Sequence, residues 1–305
     1  MKTLVTFLTL FCFCGGSRLL AEDAKLSSSD KVVKKFIYKK TPQGELTIHV
    51  HFPPGWKKTD KRSAIVFFFG GGWRGGNIKQ FQSQAEYLAQ RGMVSARADY
   101  RVKGRHKTLA GKCVEDCKSA VRWLRKHARK FGIDPQRIVA SGGSAGGHTA
   151  AATAAVKGFE AEGEDHKISS KPNLLVLFNP ALNTSRFGSR FGSEKLAKQA
   201  SPNNSLSKGV PPAIIFFGTN DFLLDSGKEY VKKAKELGLN SELHLADGQK
   251  HGFFNRSPWK ERTLYLTDQF LIKYGYLTGK PTIAAPANAP MKLAVSTGSG
   301  PAGSD

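Results

Sequence analysis

A serine flanked by glycines stands where a strand is expected to turn into a helix. The stretch IVASGGSAGGH, residues 138–148, holds four glycines, two serines and one histidine. Within it, Gly142 and Gly146 lie two positions before and two positions after Ser144, which matches the pattern G-x-S-x-G. In that pattern a sharp strand-to-helix turn exposes the serine oxygen above a sheet, and small glycines avoid clashes at the turn. The stretch therefore predicts that Ser144 is a nucleophile.

Two further residues have the types that a nucleophilic serine requires. Such a serine needs a general base and a group that orients the base. Asp221 comes just after the predicted buried strand PAIIFFG, and His251 lies in the loop GQKHGFF after the next predicted strand. Both positions fall at the carboxyl edge of a parallel sheet, beside Ser144, which predicts a catalytic triad. Asp225 is an alternative acid, but we expect it to cap the helix that follows.

A run of glycines after another predicted strand supplies backbone donors for the same reaction. The strand SAIVFFF is followed by Gly70, Gly71 and Gly72. Attack of a serine on an ester forms a tetrahedral oxyanion, and loss of one hydrogen-bond donor to such an oxyanion costs about 3 kcal/mol. We expect the N–H groups of Gly71, Gly72 and Ala145 to form this oxyanion hole. Ala145 also opens the predicted helix behind Ser144, whose amino terminus favours negative charge.

Bulky aromatic residues adjoin the predicted catalytic segments. We expect Trp73, Phe222 and Phe253 to bind substrate, because each follows one of these segments directly. The segments able to cover the site, residues 22–35 and 181–210, are short and polar. A long-chain lipase needs a wide apolar cleft instead. These features predict a small-molecule or polysaccharide ester with a short acyl group, acetyl first, and a sugar hydroxyl as the leaving alcohol.

The elements that must position these residues alternate along the chain. Apolar strands such as NLLVLF alternate with helical patterns, of which residues 116–131 form the clearest. Strands that are apolar throughout indicate a mostly parallel central sheet with helices on both faces, here with a small cap. The predicted α/β domain spans residues 22–277. Residues 278–305 are rich in Gly, Pro, Ala, Thr and Ser, and we expect a disordered tail there.

Taken together, these segments resemble one known family. The sequence resembles α/β-hydrolases of the hormone-sensitive-lipase-like branch, near the bacterial acetyl esterases and carboxylesterases. The matching segments lie in the family's order within residues 35–277, at residues 70–73, 99–101, 142–147, 221 and 251–253. The resemblance implies the α/β-hydrolase fold, the triad of Ser144, Asp221 and His251, and the oxyanion hole named above. It further implies hydrolysis of carboxylic esters through an acyl-enzyme, without a cofactor or a metal.

Two positions depart from the family pattern. Phe69 stands where the family usually has a histidine before its first glycine, so we expect changed support for the glycine loop. The segment DYRVKGRHK, residues 99–107, stands where many relatives continue with Leu-Ala-Pro, which puts the family's usual acyl pocket in question.

The amino terminus and the charge bear on location and partners. Residues 1–21 combine a basic start, an apolar run and small residues before Ala21, which is typical of a cleaved signal peptide; a buried terminal helix or strand is the alternative. We therefore expect export, to a periplasm or to the medium, with no transmembrane segment after signal removal. The net charge of +23 favours acidic partners, such as an acidic polysaccharide. No recognition motif supports nucleic-acid binding.

Two other enzyme classes share parts of these motifs. Residues 70–75 also match G-x-G-x-x-G, and Asp99 ends the next predicted strand, as in dinucleotide-binding oxidoreductases. That interpretation leaves Ser144, Asp221 and His251 without a role. A serine peptidase of the prolyl-oligopeptidase kind shares the serine motif, but it does not need the glycine donors, and the sequence contains no evident propeller domain.

Overall fold

One nine-stranded sheet organises the part of the chain that the structure describes. The computed structural model describes residues 32–298. The strands follow the spatial order β1-β2-β4-β3-β5-β6-β7-β8-β9. Their bounds are β1 Val32–Thr41, β2 Gly44–Phe52, β3 Arg62–Phe68, β4 Val94–Ala98, β5 Ile133–Gly143, β6 Leu174–Phe178, β7 Ala213–Gly218, β8 Ser241–Ala246 and β9 Met291–Thr297.

The six central strands, in the spatial order β4, β3, β5, β6, β7 and β8, are parallel to one another. Antiparallel pairs form both edges of the sheet. At one edge β2 is antiparallel to both β1 and β4, and at the other β9 is antiparallel to β8. Every residue of β6 and of β7 is buried, so these strands have no polar face. A strand of this kind needs cover on both sides of the sheet. The mostly parallel sheet predicted from the sequence is confirmed.

Helices cover the two faces of the sheet with separate core layers. One layer packs α3, α4 and α8 on one face, through residues such as Cys117, Ala150 and Tyr230. The other layer packs α1 and α9, through residues such as Leu88 and Leu271. In the described range the helices are α1 Gln82–Gln90, α2 Lys103–His106, α3 Ala110–Lys126, α4 Ala145–Ala155, α5 Gly188–Phe191, α6 Glu194–Gln199, α7 Pro202–Ser205, α8 Leu224–Glu236 and α9 Trp259–Lys273.

The prediction of a disordered tail over residues 278–305 is wrong for Met291–Thr297, which form a strand of the sheet. Met291–Thr297 forms β9, in register with β8 from Ser241 opposite Thr297 to Ala246 opposite Met291. The Thr297 hydroxyl donates a 2.6 Å hydrogen bond to the carbonyl of Leu239 and accepts one from the Ser241 N–H. Without β9, β8 would be an open edge of the sheet. The hydrolase domain therefore extends past residue 277, and residues 299–305 lie outside the described range.

Two other boundaries differ from the sequence predictions. The helix expected over residues 116–131 begins earlier, at Ala110, and gives way after Lys126 to a short 3-10 helix, Ala128–Phe131. Residues 32–35 do not belong to a cap, because they start β1 at the sheet edge. The predicted signal peptide lies outside the described residues. Between residues 32 and 298 no helix is long and apolar enough to cross a membrane.

Candidate active site

The glycines around Ser144 permit a backbone turn that few residues tolerate. Ser144 has φ 54° and ψ −115° between the end of β5 and the start of α4. A non-glycine residue in such a conformation costs on the order of 1–3 kcal/mol, which the surrounding structure must offset. A Cβ at Gly142 would lie 2.5 Å from the carbonyl carbon of Gly146, and a Cβ at Gly146 would overlap the carbonyl oxygen of Phe68. Both positions therefore require glycine, while Ser144 alone among residues 141–150 stays partly exposed.

The structure brings Ser144, His251 and Asp221 into one chain of hydrogen bonds. The Ser144 Oγ lies 2.9 Å from Nε2 of His251. The other ring nitrogen of His251, Nδ1, lies 2.9 Å from Oδ2 and 3.0 Å from Oδ1 of Asp221. The Asp221 side chain has no exposed area, whereas a quarter of the His251 side chain is exposed. With the proton on Nδ1, His251 donates to the carboxylate and accepts the serine hydroxyl proton, which is the arrangement a general base requires.

Asp225 does not take part in this chain. Its side chain is 98% exposed and lies 3.6 Å from the ammonium group of Lys228. The expectation that it caps the following helix is also wrong. Leu223 is the N-cap residue of α8, and Asp225 lies inside the first turn without a capping hydrogen bond. Asp221 is the residue that accepts a hydrogen bond from the Leu223 N–H, at 2.8 Å.

Asn179 supports the histidine loop and was missed by the sequence analysis. It follows β6 at the carboxyl edge of the sheet and is fully buried. Its Oδ1 accepts a 3.2 Å hydrogen bond from the Gly252 N–H, and its Nδ2 lies 3.5 Å from Nε2 of His251. The signal available in the sequence was its position, directly after a buried strand at the edge where the site was expected.

The glycine run after β3 lies against Ser144. A Cβ at Gly70 would be 3.0 Å from the Gly143 carbonyl oxygen and 3.4 Å from the Ser144 Cβ. Gly71 has φ 132° and Gly72 φ 60°, conformations that favour glycine. Within residues 32–298 the N–H groups of these two glycines make no hydrogen bond. Ala145 is the first residue of α4, where a helix leaves its N–H groups without an intrahelical partner. The glycine run thus meets the serine at Gly70, and the N–H groups of Gly71, Gly72 and Ala145 stay available for a ligand oxygen.

Phe69 supports the glycine run through Tyr100. The two rings stack with centroids 4.1 Å apart and planes inclined by 13°, and the Tyr100 hydroxyl donates a hydrogen bond to the Phe69 carbonyl. Arg105 lies over the Phe69 ring at 5.8 Å and holds Asp99 through two hydrogen bonds of 2.6 and 2.8 Å. Phe69, which stands where the family usually has a histidine, therefore packs against residues 99–107, the second segment that departs from the family pattern.

Trp73 and His148 link the glycine run to residues 185–200, the segment that contains α5 and α6 and that we call the cap. The Trp73 indole N–H donates to Nδ1 of His148 at 3.1 Å, and Nε2 of His148 lies 2.9 Å from the Ala200 carbonyl oxygen. Trp73 also packs edge-on against Phe187 and Phe191, at 5.3 and 5.5 Å. His148 is fully buried, and this desolvation lowers its pKa to about 4. A neutral His148 thus makes a structural contact.

The three residues expected to bind substrate lie in different environments. Phe222 is 64% exposed, and its ring centroid is 4.7 Å from that of His251. Trp73 is 4% exposed and lies within the aromatic packing under the cap. Phe253 is 5% exposed and packs edge-on against Trp259, in the core layer of α9. Of the three, the structure brings only Phe222 to the open side of the site.

The alternative of a dinucleotide site does not fit this geometry. A dinucleotide fingerprint places its glycines at the start of a helix, so that the pyrophosphate binds at the helix amino terminus. Here α1 begins only at Gln82, after a loop that follows Gly76. The glycine run instead adjoins Ser144. Among residues 32–298 no group of three or more His, Cys, Asp or Glu side chains is arranged to hold a metal ion.

Comparison with known proteins agrees with this geometry. The BD-FAE family model matches residues 49–177. The carboxylesterase NlhH of Mycobacterium tuberculosis is 26% identical over 241 residues, which cover 69% of this chain and 72% of NlhH. The apo form of Thermogutta terrifontis esterase 2 is 45% identical, covers 84% of this chain and 98% of that one, and superposes with a TM-score of 0.78. The butyrate-bound form is 44% identical, with coverages of 82% and 96% and a TM-score of 0.77.

The identity and coverage of esterase 2 show the family. The chain belongs to the α/β-hydrolases of the hormone-sensitive-lipase-like branch, and it is a carboxylic ester hydrolase.

Proposed function

We propose that the protein hydrolyses short-chain carboxylic esters, acetyl esters of carbohydrates first, through an acyl-enzyme on Ser144. The observation that carries this proposal is the unbroken chain of hydrogen bonds from Asp221 through His251 to the Ser144 hydroxyl. His251 takes the proton of Ser144 as Oγ attacks the acyl carbon. The N–H groups of Gly71, Gly72 and Ala145 bind the oxyanion of the tetrahedral intermediate.

Ser144 is the nucleophile in the first half of the reaction and the leaving group in the second half, when water attacks. When the intermediate collapses, His251 gives its proton to the departing alcohol oxygen, and the acyl group remains on Ser144. Water then attacks the acyl carbon while His251 takes its proton, and a second tetrahedral intermediate forms. As it collapses, His251 returns the proton to Ser144 Oγ, the bond from the acyl carbon to Oγ breaks and the acid leaves. Asp221 keeps its negative charge throughout and stabilises the protonated imidazole.

Packing near the oxyanion loop supports a short acyl group. The Trp73 ring packs against Phe187, Phe191 and His148, and Phe191 also packs against His148. This aromatic cluster fills space that a long-chain lipase would leave open as a cleft. Two structures of the Thermogutta terrifontis enzyme are described as bound to propionate and to butyrate, which are short acids.

A series of esters of one alcohol tests the acyl preference. Each further methylene that is properly buried adds about 0.8 kcal/mol to binding, so a long chain wins wherever it fits. We expect kcat/KM to be highest for acetyl or butyryl esters and to fall for octanoyl and palmitoyl esters. A maximum at octanoyl or beyond contradicts the proposal. Release of acetate from an acetylated polysaccharide tests the carbohydrate part separately.

We also propose that the protein is exported and that its positive charge binds acidic polysaccharide. The amino-terminal pattern motivates the first part, and the net charge of +23 motivates the second. Intact mass of protein from the native host is expected to show a chain beginning near Glu22. Retention on an anionic polysaccharide matrix is expected to weaken as salt rises, because exposed charges are screened beyond about 8–10 Å at physiological ionic strength. Equal retention on a neutral matrix contradicts the second part.

A further inference from the structure

A cavity lies beside Phe222, whose ring also packs near the catalytic histidine. Its volume is about 310 Å³. The Phe222 ring forms part of its wall, and the same ring lies 4.7 Å from the His251 imidazole, centroid to centroid. The side chains that matter for its chemistry are Asn183, Ser185, Arg186, Phe222, Asp225 and Glu229.

The position of this cavity relates it to the leaving alcohol. In the proposed reaction, on which this inference rests, His251 delivers its proton to the alcohol oxygen, so the alcohol must stand against the imidazole. The carbonyl oxygen of the ester points toward the glycine run, whose N–H groups bind the oxyanion. Since the Phe222 ring lies beside the imidazole, a group bound at Phe222 is placed on the alcohol side of the ester.

One wall of the cavity combines an exposed ring with an unpaired guanidinium group. Phe222 is 64% exposed. Arg186 lies over its ring at 5.8 Å, and one guanidinium nitrogen donates a 3.3 Å hydrogen bond to the Phe222 carbonyl oxygen. In the described part of the chain, Arg186 makes no ion pair with a carboxylate. Because a guanidinium carries five N–H donors, Arg186 keeps several for a ligand.

The opposite wall carries a fixed acceptor. Oε2 of Glu229 accepts hydrogen bonds from the side-chain amides of Asn183, at 3.0 Å, and Asn203, at 2.8 Å. Its Oε1 lies 2.9 Å from the ammonium group of Lys233. These partners hold the carboxylate in one place, and about a third of the Glu229 side chain stays exposed. The cavity thus offers an apolar ring, cationic donors and anionic acceptors at separate positions.

We propose that this cavity, formed around Phe222 and Arg186, binds the sugar residue that carries the ester. A pyranose ring presents a C–H face that packs on an aromatic ring and a rim of hydroxyl groups that both donate and accept hydrogen bonds. Phe222 meets the face, Arg186 donates to hydroxyl oxygens, and Glu229 accepts from hydroxyl hydrogens.

Two acetyl esters with rings of equal size test this assignment. One is a mono-O-acetylated methyl glucoside, and the other is cyclohexyl acetate, which lacks the hydroxyl groups. We expect Arg186→Gln to lower kcat/KM for the glucoside about tenfold, mainly through KM, because a hydrogen bond to a charged group is lost. The value for cyclohexyl acetate is expected to stay within about twofold, because the triad is untouched. Phe222→Ala is expected to reduce the preference for the glucoside in the same direction.

The matched control removes a positive charge from the nearby helix α6. Lys195 is an exposed cation on α6 that does not line the cavity, and Lys195→Gln is expected to change neither ester. If Arg186→Gln lowers both esters by the same factor, or neither, the sugar subsite is refuted while ester hydrolysis stands. If the unmodified enzyme hydrolyses cyclohexyl acetate but not the glucoside, the carbohydrate part of the proposed function fails together with the subsite.

Discussion

The turn around Ser144 and the cavity beside Phe222 both lie near His251, but buried backbone forms the turn and exposed side chains form the cavity. Around the serine, residues 141–143 and 145–150 are all buried, and glycines hold the turn because backbone atoms occupy the space of a side chain. Around the cavity, exposed side chains such as Phe222 and Asp225 form the walls. The reaction geometry is thus part of the core, whereas contacts to the alcohol depend on side chains that can change without unfolding the protein.

The largest effect is expected at the serine and the histidine. Ser144→Ala and His251→Ala should each lower kcat by about six orders of magnitude, because triad members act as one unit. Thermal unfolding of both variants should stay close to that of the unmodified protein, since each change removes a partly exposed side chain. Ester hydrolysis and calorimetry check the two statements. Retained hydrolysis in Ser144→Ala would remove the mechanism.

The next largest effect separates the buried acid from the exposed one. Asp221→Asn should lower kcat by about four orders of magnitude, because the amide holds His251 in the wrong tautomer. Asp225→Asn is the matched control, with a side chain 98% exposed, and its kcat should stay within about twofold of the unmodified enzyme. If the two variants exchange these results in a steady-state assay, Asp225 is the triad acid.

Two glycine substitutions, one in the turn at Gly146 and one in the loop after the glycine run at Gly75, test how strictly the core fixes the turn around Ser144. Gly146→Ala should reduce the free energy of unfolding by about 4 kcal/mol or more, because its Cβ overlaps the carbonyl oxygens of Phe68 and Phe69. Gly75→Ala, where a Cβ meets nothing within 4 Å, should change stability by less than about 1 kcal/mol. Urea denaturation of both variants measures the difference. Equal stabilities would show that the turn tolerates side chains.

His148, buried in the helix that follows Ser144, should make stability depend on pH. Its pKa in the folded protein is about 4, against an ordinary value of 6.5. Between these values the unfolded chain binds the proton more readily, so this contribution is complete above pH 6.5 and is lost as pH falls toward 4. It amounts to about 3 kcal/mol. His148→Gln should flatten the dependence of the unfolding free energy on pH in that interval. An unchanged slope in His148→Gln would contradict this account.

The sequence alone predicted the residues that a catalytic triad requires, because their types and their places after strands can be recognised locally. Ser144 is marked by its glycines, and Asp221 and His251 by their places after buried strands. Asn179, the Trp73 to His148 contact and the cavity at Arg186 depend on which segments meet in space, which local patterns do not encode. The composition of residues 278–305 as a whole does not indicate a strand. The short stretch MKLAVST within it nevertheless pairs with β8 as β9.

The central claim is that Ser144 is the nucleophile, and a covalent label tests it most directly. Paraoxon transfers a diethylphosphoryl group to an activated serine and releases 4-nitrophenolate. After inactivation, mass spectrometry of peptides is expected to find one such group per chain, on the peptide that contains Ser144, and none in Ser144→Ala treated in the same way. Labelling of another residue with Ser144 unmodified, accompanied by the same loss of activity, would contradict the account.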